Sequence, residues 1–337
     1  MPVRCLNLPD LCQPLPRARR VRRRCLLAAV ALAGLGASVF GQSSHTWNGG
    51  GDPDTSWSTA ANWVGGSVPD GNDIINFAGT TNLNPFNNLI GLAGYRIFFN
   101  SGAGAFTLDG NAMVMFDFGG NAPKIENNST SHQTINIAIT MNPGFGPGFS
   151  EINPVQGDMT FGSPLVLQGG TQLRIFGDNG KTVTFNGAIS GTSSTVAINQ
   201  NSNVVYATAN TYSGETFVNA GELRFASGGS AASSSFFRLG DTSGSATASI
   251  AMTHAAGGQT ITNNINVRAG SSGIKTLRSG NTAGTNTYSG NIFMDADLRV
   301  SKDSAGGLLV LSGAVLDLKN QTMTLTGSGD IGVSGTL

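Results

Sequence analysis

The residues best suited to ligand chemistry in this chain are its three tryptophans, Trp47, Trp57 and Trp63, which all lie in one short segment. Exposed indole rings give flat platforms on which sugar rings stack, so one interpretation is a carbohydrate-binding site. The alternative is a structural cap, in which the three rings cover the end of a repeat array and its free strand edge. The sequence leaves both interpretations open.

Two carboxylate pairs could in principle cleave a polysaccharide. Asp295 and Asp297 share one strand face by period two, and Asp109 and Asp117 flank a turn region rich in Gly and Asn. Glycoside cleavage needs two carboxylates that face each other across a cleft, about 5–10 Å apart. Neither pair has a cluster of Lys, Arg or His residues nearby in the sequence. We therefore predict solvated strand and turn residues at these positions, and no catalytic residues.

Motifs for metals, nucleotides and serine catalysis are missing from the sequence. His45, His132 and His254 each lack a second histidine at metal-ligand spacing. No Gly-x-Ser-x-Gly elbow occurs after Gly41, and no phosphate-binding loop or dinucleotide fingerprint follows a predicted strand. The sequence therefore predicts neither a metal nor a cofactor.

The segment 1–41 has the composition of a secretory signal. Six arginines between Arg17 and Arg24 precede an apolar stretch from Cys25 to Leu35, and small residues lead to Gly41. The apolar stretch is too short to span a bilayer as a permanent helix. We therefore predict a signal peptide over 1–41, no stable membrane span in the mature chain, and export to the extracellular space or the outer cell surface.

The mature chain is mildly acidic and free of cysteine. The leader holds seven of the 19 basic residues and one of the 19 acidic residues, which leaves 12 basic and 18 acidic side chains and a net charge of −6. Phosphate contacts need clustered Lys and Arg, so we expect no nucleic-acid partner. All three cysteines lie in the leader, so packing and backbone hydrogen bonds must stabilise the fold.

The elements expected in the mature chain are short strands. Alternating runs such as Thr182–Phe185 and Ile135–Ile139 are punctuated by Gly, Asn and Ser, which favour tight turns. The segment 141–154 holds three Pro and three Gly, and we predict a loop or boundary there. It would separate an N-terminal cap with the first coils (42–140) from a repeat-containing region (155–337).

Internal repeats are the most informative signal in the sequence. Ala209–Phe225 and Thr285–Val300 share Asn-Thr-Tyr-Ser-Gly, then an aromatic residue, then Leu-Arg and an apolar residue. Upstream, Thr182–Thr184 recurs as Thr260–Thr262 at nearly the same spacing, which indicates a long repeat that holds both segments in order. The motif positions that we single out in the two copies are Asn210, Tyr212, Gly214, Asn286, Tyr288 and Gly290.

These patterns predict an all-β fold, a right-handed parallel β-helix (β-solenoid) with an N-terminal cap. Each coil would bury its apolar face only by stacking on its neighbours, at roughly 20 to 26 residues per coil and on the order of a dozen coils. Tandem β-sandwiches are the alternative. The positions expected to face inward are Val183, Phe185, Ile189, Val218, Leu223, Ile261, Ile265, Val267, Leu298 and Leu325.

The repeat segments, together with the opening segment Trp47–Gly79, resemble the autotransporter-associated β-strand repeat of bacterial surface and secreted proteins. The resemblance implies a parallel β-helix of passenger type, export, and a role at or beyond the cell surface. It carries no catalytic residues. The chain ends at Leu337 in repeat-like sequence with no membrane barrel, sorting signal or apolar anchor after it. Truncation and free release are both compatible with that ending.

The function expected from the sequence is a structural or adhesive repeat protein that presents a rigid β-helical surface without catalysis. Extracellular polysaccharide or neighbouring surface proteins would be its partners. One alternative is a carbohydrate-binding module that uses the tryptophan cluster. A polysaccharide-degrading β-helix enzyme is the other alternative, although fold alone does not license that inference.

Overall fold

The computed structural model describes residues 43–144, 148–177, 180–232 and 235–335, so the predicted signal peptide lies outside the described residues. The described chain is built from short strands, with two 3-10 turns at Ala60–Asn62 and Val64–Gly66. Every ladder between two of these strands is parallel, and the strands form three sheets of 16, 11 and 4 strands. The predicted β-solenoid is confirmed, with about 11 turns, and the alternative of tandem β-sandwiches is wrong.

The solenoid has three faces, and strands are numbered here in chain order. Face 1 belongs to the largest sheet. It consists of β1 (Ser44–Trp47), β2 (Asp73–Phe77), β4 (Ala93–Phe99), β7 (Lys124–Asn127), β10 (Phe149–Pro154), β13 (Gln172–Phe176), β16 (Thr195–Asn199), β18 (Thr216–Val218), β20 (Phe237–Leu239), β23 (Ile265–Val267), β26 (Ile292–Met294) and β29 (Leu316–Asp317).

Face 2 is the sheet of 11 strands, one from each turn. It consists of β3 (Phe86–Asn87), β5 (Thr107–Gly110), β8 (Gln133–Ile135), β11 (Met159–Phe161), β14 (Thr182–Phe185), β17 (Asn203–Tyr206), β19 (Gly221–Phe225), β21 (Ala248–Met252), β24 (Lys275–Ser279), β27 (Leu298–Lys302) and β30 (Met323–Gly327). Its ladder runs without a break from β3 to β30.

Face 3 is interrupted in the middle of the molecule. Its first part, joined to face 1 through β4, consists of β6 (Met113–Phe116), β9 (Ile139–Asn142), β12 (Leu165–Leu167) and β15 (Ile189–Ser190). Its second part is a separate four-stranded sheet of β22 (Thr260–Ile261), β25 (Thr285–Tyr288), β28 (Leu308–Leu311) and β31 (Asp330–Val333). Two turns between these parts have no named face-3 strand within the described residues.

The core is a set of ladders formed by inward side chains. On face 1 the same inward position is isoleucine in six consecutive strands, and all six side chains are buried. They are Ile75, Ile97, Ile125, Ile152, Ile175 and Ile198. Full burial of such a side chain contributes about 1.5–3 kcal/mol, and β-branched residues suit the strand conformation. The ladder therefore explains why successive turns stay in register although their lengths differ.

Nine of the ten positions predicted to face inward are buried, and Leu325 is the exception at 49% exposed. Leu325 pairs with the buried Val300 of the preceding turn, so it occupies an inward position. It belongs to β30, the last strand of face 2 among the described residues, and no following strand covers it there. The alternation predicted the direction of the side chain but not whether a neighbouring turn covers it.

Two further expectations differ from the structure. The segment 141–154, predicted as a loop or boundary, holds the end of β9 at Asn142 and all of β10 (Phe149–Pro154). Pro154, which has no N–H to donate, lies beyond Ile152, the last residue of β10 that pairs with β13. The recurrence of Thr182–Thr184 as Thr260–Thr262 is not a structural repeat, since β14 lies on face 2 and β22 on face 3.

Candidate functional site

The three tryptophans form a buried aromatic cluster at the N-terminal end of the solenoid. Trp47, Trp57 and Trp63 are 0%, 0% and 2% exposed. Trp63 meets the other two rings edge-on at 5.3 and 5.9 Å, and Trp57 lies 5.7 Å from Phe77 of β2. Trp63 Nε1 donates to the carbonyl oxygen of Trp57 at 2.7 Å. No indole face in this arrangement is open to a sugar ring, and the cluster packs on the first turn of the core.

A buried histidine–aspartate contact lies beside the tryptophans, and the sequence analysis missed it. His45 Nε2 is 3.1 Å from Asp73 Oδ2, and both side chains are almost fully buried. The other ring nitrogen of His45 lies 2.8 Å from the carbonyl oxygen of Ser67. Asp73 also accepts backbone N–H groups from Ser43 and Asp70. These contacts tie β1 to β2 and to the loop before β2, which is a structural role.

The glycines of the repeat motif allow neighbouring turns to approach closely. A Cβ atom at Gly290 would lie under 3.0 Å from the carbonyl oxygen of Asn263, and one at Gly214 would lie under 3.0 Å from that of Ser194. Real Cβ atoms essentially never make such contacts. Both glycines lie at the corner that leads from face 3 to face 1, so only a residue without a side chain fits there.

The asparagines of the repeat motif hold the preceding turn through its backbone. Asn210 Oδ1 accepts the N–H of Ile189 at 2.7 Å, and Asn286 Oδ1 accepts the N–H of Gln259 at 3.0 Å. Both asparagines are buried. A buried backbone N–H without a partner costs about 1–3 kcal/mol, so these side chains complete the ladder where the chain enters face 3.

The tyrosines of the repeat motif are fully buried, but their hydroxyl groups have different partners. The Tyr212 hydroxyl lies 3.0 Å from that of Tyr206 and 2.6 Å from Thr216 Oγ1. The Tyr288 hydroxyl instead donates to the carbonyl oxygen of Ile250 at 2.8 Å. Burial raises the pKa of Tyr212 to about 12 and raises the pKa of Tyr288 further. All six motif positions therefore serve the interior or its corners.

Asp295 and Asp297, one of the two carboxylate pairs weighed for catalysis, are engaged with neighbouring turns. Asp295 accepts hydrogen bonds from Asn266 Nδ2 at 2.7 Å and from Lys319 Nζ at 2.8 Å, and these bonds lower the pKa of its carboxyl group. A general acid needs a raised pKa, which is the opposite shift. Asp297 accepts the backbone N–H of Thr322 at 2.8 Å. Both side chains act as links between successive turns.

Face 2 carries a network of charged side chains that spans four turns. Glu222, almost fully buried, accepts hydrogen bonds from Ser249 Oγ at 2.6 Å and from Arg278 Nη1 at 3.0 Å, and it pairs with Arg224. Arg278 Nε also donates to Asp303 Oδ2 at 2.7 Å. Burial opposes the charge of Arg278, but the two carboxylates outweigh it and raise its pKa. The network is satisfied within itself.

Face 1 has a hollow of about 370 Å³ on its outer surface, centred on β16. Ala197 forms its floor, because it stands in one outward column between Arg174 of β13 and Phe217 of β18. Its wall is completed by Gln172, Phe176, Asn199, Asn219, Asp241, Thr242 and Arg268. We call this site the Ala197 hollow. It combines an aromatic ring, side-chain amides and guanidinium groups, which are the groups that fix a polar ring-shaped ligand.

Sequence reasoning missed the Ala197 hollow. Period-two alternation in β13, β16 and β18 indicates that Arg174, Ala197 and Phe217 point outward. Their alignment in one column depends on the register between strands, and the intervening turns differ in length. No local signal in the sequence gives that register, so the hollow becomes visible only once the strands are stacked.

Comparison with family models, curated proteins and solved structures found no match to this chain. A search for helices of sufficient length and apolar character to cross a membrane found none over the described residues. Over the same residues, no three His, Cys, Asp or Glu side chains are grouped closely enough to hold a metal ion. The fold and the side-chain arrangement are therefore the basis for any functional assignment.

Proposed function

We propose that this chain is an exported, non-catalytic repeat protein of the bacterial passenger type. Its solenoid would act as a stiff structural or adhesive element that presents repeated polar groups to extracellular polysaccharide or to neighbouring surface proteins. A single hydrophobic cluster runs from Trp47 to Leu316, and parallel ladders connect all turns. Such an element keeps the spacing of its surface groups under load, which is what a scaffold or adhesin requires.

The observation that carries the proposal is a column of threonines on the outside of face 2. Thr107, Thr134, Thr160 and Thr184 occupy the same outward position in four consecutive strands. Neighbouring strands lie about 4.8 Å apart, so the column repeats a hydroxyl group at that spacing. A polymer with its own regular repeat can engage several such groups at once, and each added contact raises the overall affinity.

The adhesive role is tested by incubating residues 42–337 with a panel of insoluble polysaccharides, then measuring protein depletion and soluble sugar. The described residues between 43 and 335 all fall within one compact unit, so the fold lies within this part of the chain. We expect depletion onto at least one polymer without release of sugar. Sustained release from any polymer would replace the proposal with an enzymatic function. An absence of depletion across the panel would remove the adhesive role.

Export is tested separately by N-terminal sequencing of protein recovered from cells and from the medium. We expect the recovered chain to begin at Gln42, because the small residues that precede the predicted cleavage site end at Gly41. Protein that remains inside the cell with Met1 intact would contradict export. This result is independent of the polysaccharide experiment.

A further inference from the structure

We propose that the Ala197 hollow on face 1 binds a carboxylated glycan, a chain that contains uronic acid units. The inference rests on the proposed adhesive function and assigns it a site and a ligand class. The site is distinct from the buried tryptophans and lies on a different face from the threonine column.

The shape of the hollow follows from one small residue in a column of large ones. Arg174 and Phe217 extend outward on either side of Ala197, in the strands directly before and after it. Three adjacent strands span about 10 Å, and the volume of about 370 Å³ is at the lower end for small-molecule sites. This size suits one or two sugar rings laid across the strands.

The amide side chains in the hollow are held in fixed orientations. Asn219 Nδ2 donates to Asn199 Oδ1 at 2.8 Å, and Asn219 Oδ1 accepts a hydrogen bond from Arg268 Nη1 at 3.1 Å. Asn199 Nδ2 donates to the carbonyl oxygen of Ala197 at 3.2 Å. Each of these groups keeps lone pairs or N–H donors free, because an amide can make more bonds than these. Sugar hydroxyl groups, which both donate and accept, fit such a surface.

Two guanidinium groups give the hollow its preference for negative charge. Among the described residues, neither Arg174 nor Arg268 has a carboxylate within 4.0 Å. Arg174 Nε donates to Gln172 Oε1 at 2.7 Å, which leaves its two terminal nitrogens available. Asp241 on the rim attracts Arg268 but does not pair with it. Guanidinium groups bind carboxylates through two parallel hydrogen bonds, so a uronate carboxylate matches this site.

The aromatic rings and the charge of the whole chain favour a sugar over other anionic ligands. The Phe217 ring lines the hollow and has the Arg268 guanidinium 5.8 Å from its centre, so it offers an apolar surface beside a cation. The C–H face of a pyranose ring packs on such a surface. A nucleic acid is held through many phosphates by clustered Lys and Arg side chains, which does not suit a chain with a net charge of −6 over residues 42–337. A short uronate chain needs only the two guanidinium groups of the hollow.

The test is calorimetric titration of residues 42–337 with trigalacturonate, compared with the same trisaccharide after reduction of its carboxyl groups to alcohols. We expect binding of trigalacturonate and at least about tenfold weaker binding of the reduced form, since charge-assisted hydrogen bonds are lost. Arg174→Gln and Arg268→Gln should each weaken trigalacturonate binding by about tenfold for the same reason. Ala197→Gln should weaken it at least as much by filling the floor of the hollow.

The matched control is Arg299→Gln. Arg299 is an exposed arginine of β27 on face 2 that, like the two arginines of the hollow, makes no salt bridge within the described residues. Its removal changes the net charge by the same amount and should leave binding unchanged. Thermal unfolding of each variant separates loss of binding from loss of fold, and the two arginine variants alter only outward side chains.

Three results would overturn the inference. These are no binding of trigalacturonate by the wild-type chain, equal loss in Arg299→Gln, and tighter binding of a single-stranded oligonucleotide at the same salt concentration. The inference can fail while the adhesive function survives, if the chain is depleted onto an insoluble polymer but does not bind trigalacturonate. The adhesive function can fail while the inference survives, if trigalacturonate binds but no insoluble polymer depletes the protein.

Discussion

The two copies of the repeat motif, in Ala209–Phe225 and Thr285–Val300, have the same five-residue core and the same backbone pairing to the turn before them. The N–H groups of Thr211 and Ser213 donate to carbonyl groups of the preceding turn. In the second copy, Thr287 and Ser289 do the same. In both copies the asparagine Oδ1 accepts a backbone N–H of the preceding turn, and the glycine lies against a backbone carbonyl of that turn. The motif therefore encodes the two corners of face 3.

The copies differ in their pairing to the next turn and in the partners of their tyrosines. The second copy lies in β25, which pairs with strands on both sides, whereas the first has only an isolated bridge, between Ala209 and Ser230, to the next turn. Tyr212 joins a chain of hydroxyl groups, and Tyr288 donates to backbone carbonyls. Strand formation and hydroxyl partners thus depend on the neighbouring turns, while the corners depend on the motif itself.

Substitution of the two motif glycines by alanine should cause the largest loss of stability and so tests this comparison most directly. Gly290→Ala and Gly214→Ala each introduce a Cβ against a backbone carbonyl, and the approach is closer at Gly290. Backbone must shift, so we expect losses of about 3 kcal/mol at Gly290 and about 2 kcal/mol at Gly214 in urea unfolding. The control is Gly332→Ala, where the nearest atom is 3.7 Å away. A comparable loss in the control would show that corner contacts are not the cause.

Removal of the motif asparagines should have the next largest effect. Asn210→Ala leaves the N–H of Ile189 buried without its partner and also removes the bonds of Asn210 Nδ2 to the carbonyl oxygens of Thr208 and Ser230. Asn286→Ala removes only two bonds. Because an unsatisfied buried group costs about 1–3 kcal/mol, we expect losses near 2 kcal/mol, larger at Asn210.

The control for the asparagine pair is Asn128→Ala, since the half-buried Asn128 bonds only to the Glu126 carboxylate. Its loss should stay below about 1 kcal/mol in the same urea titration. If Asn286→Ala cost more than Asn210→Ala, the number of bonds made by each asparagine would not explain its contribution, and the two corners would have to be treated as different.

The same contrast between local and neighbour-dependent features explains what the sequence could predict. Alternation within a strand is local, so it identified inward residues such as Ile189 and Leu298. Leu325 has the same alternation and is exposed, because burial also needs a covering turn. The strings at Thr182–Thr184 and Thr260–Thr262 are nearly identical but lie on different faces, since a short polar string does not encode its position in the turn.

The Ala197 hollow could not be predicted for a related reason. Ile175 stacks on Ile198 and Ile198 stacks on Val218, but the second pair is separated by a shorter stretch of chain than the first. This difference in chain length lies in the corners between strands. A fixed repeat length therefore does not align Arg174 with Phe217. The alignment requires knowledge of which inward residues stack. The isoleucine ladder sets that register, and the outward column is a consequence of it.

Removal of the tyrosine hydroxyl groups should cause a smaller loss of stability. The two copies should differ in whether paired substitutions are additive, not in how much stability each substitution removes. Tyr212→Phe and Tyr206→Phe each remove one end of the same hydrogen bond, so the double variant should lose about 1 kcal/mol less than the sum of the singles. Tyr288→Phe with Tyr206→Phe should be additive within about 0.5 kcal/mol, because the two hydroxyl groups have separate partners. Strong coupling in the second pair would contradict the separation of the two networks.

The smallest effect is the pH dependence of the Tyr212 contribution. Burial raises the pKa of Tyr212 to about 12 in the folded chain, whereas the unfolded chain keeps a value near 10. Between these values the folded state retains a proton that the unfolded state has lost, so stability falls as the pH rises. The stability difference between wild type and Tyr212→Phe should therefore shrink by about 1 kcal/mol between pH 9 and pH 11. A constant difference over that range would mean that the Tyr212 hydroxyl ionises as readily in the folded chain as in the unfolded one. The hydroxyl network of the first copy would then be open to water, unlike the buried contacts of Tyr288.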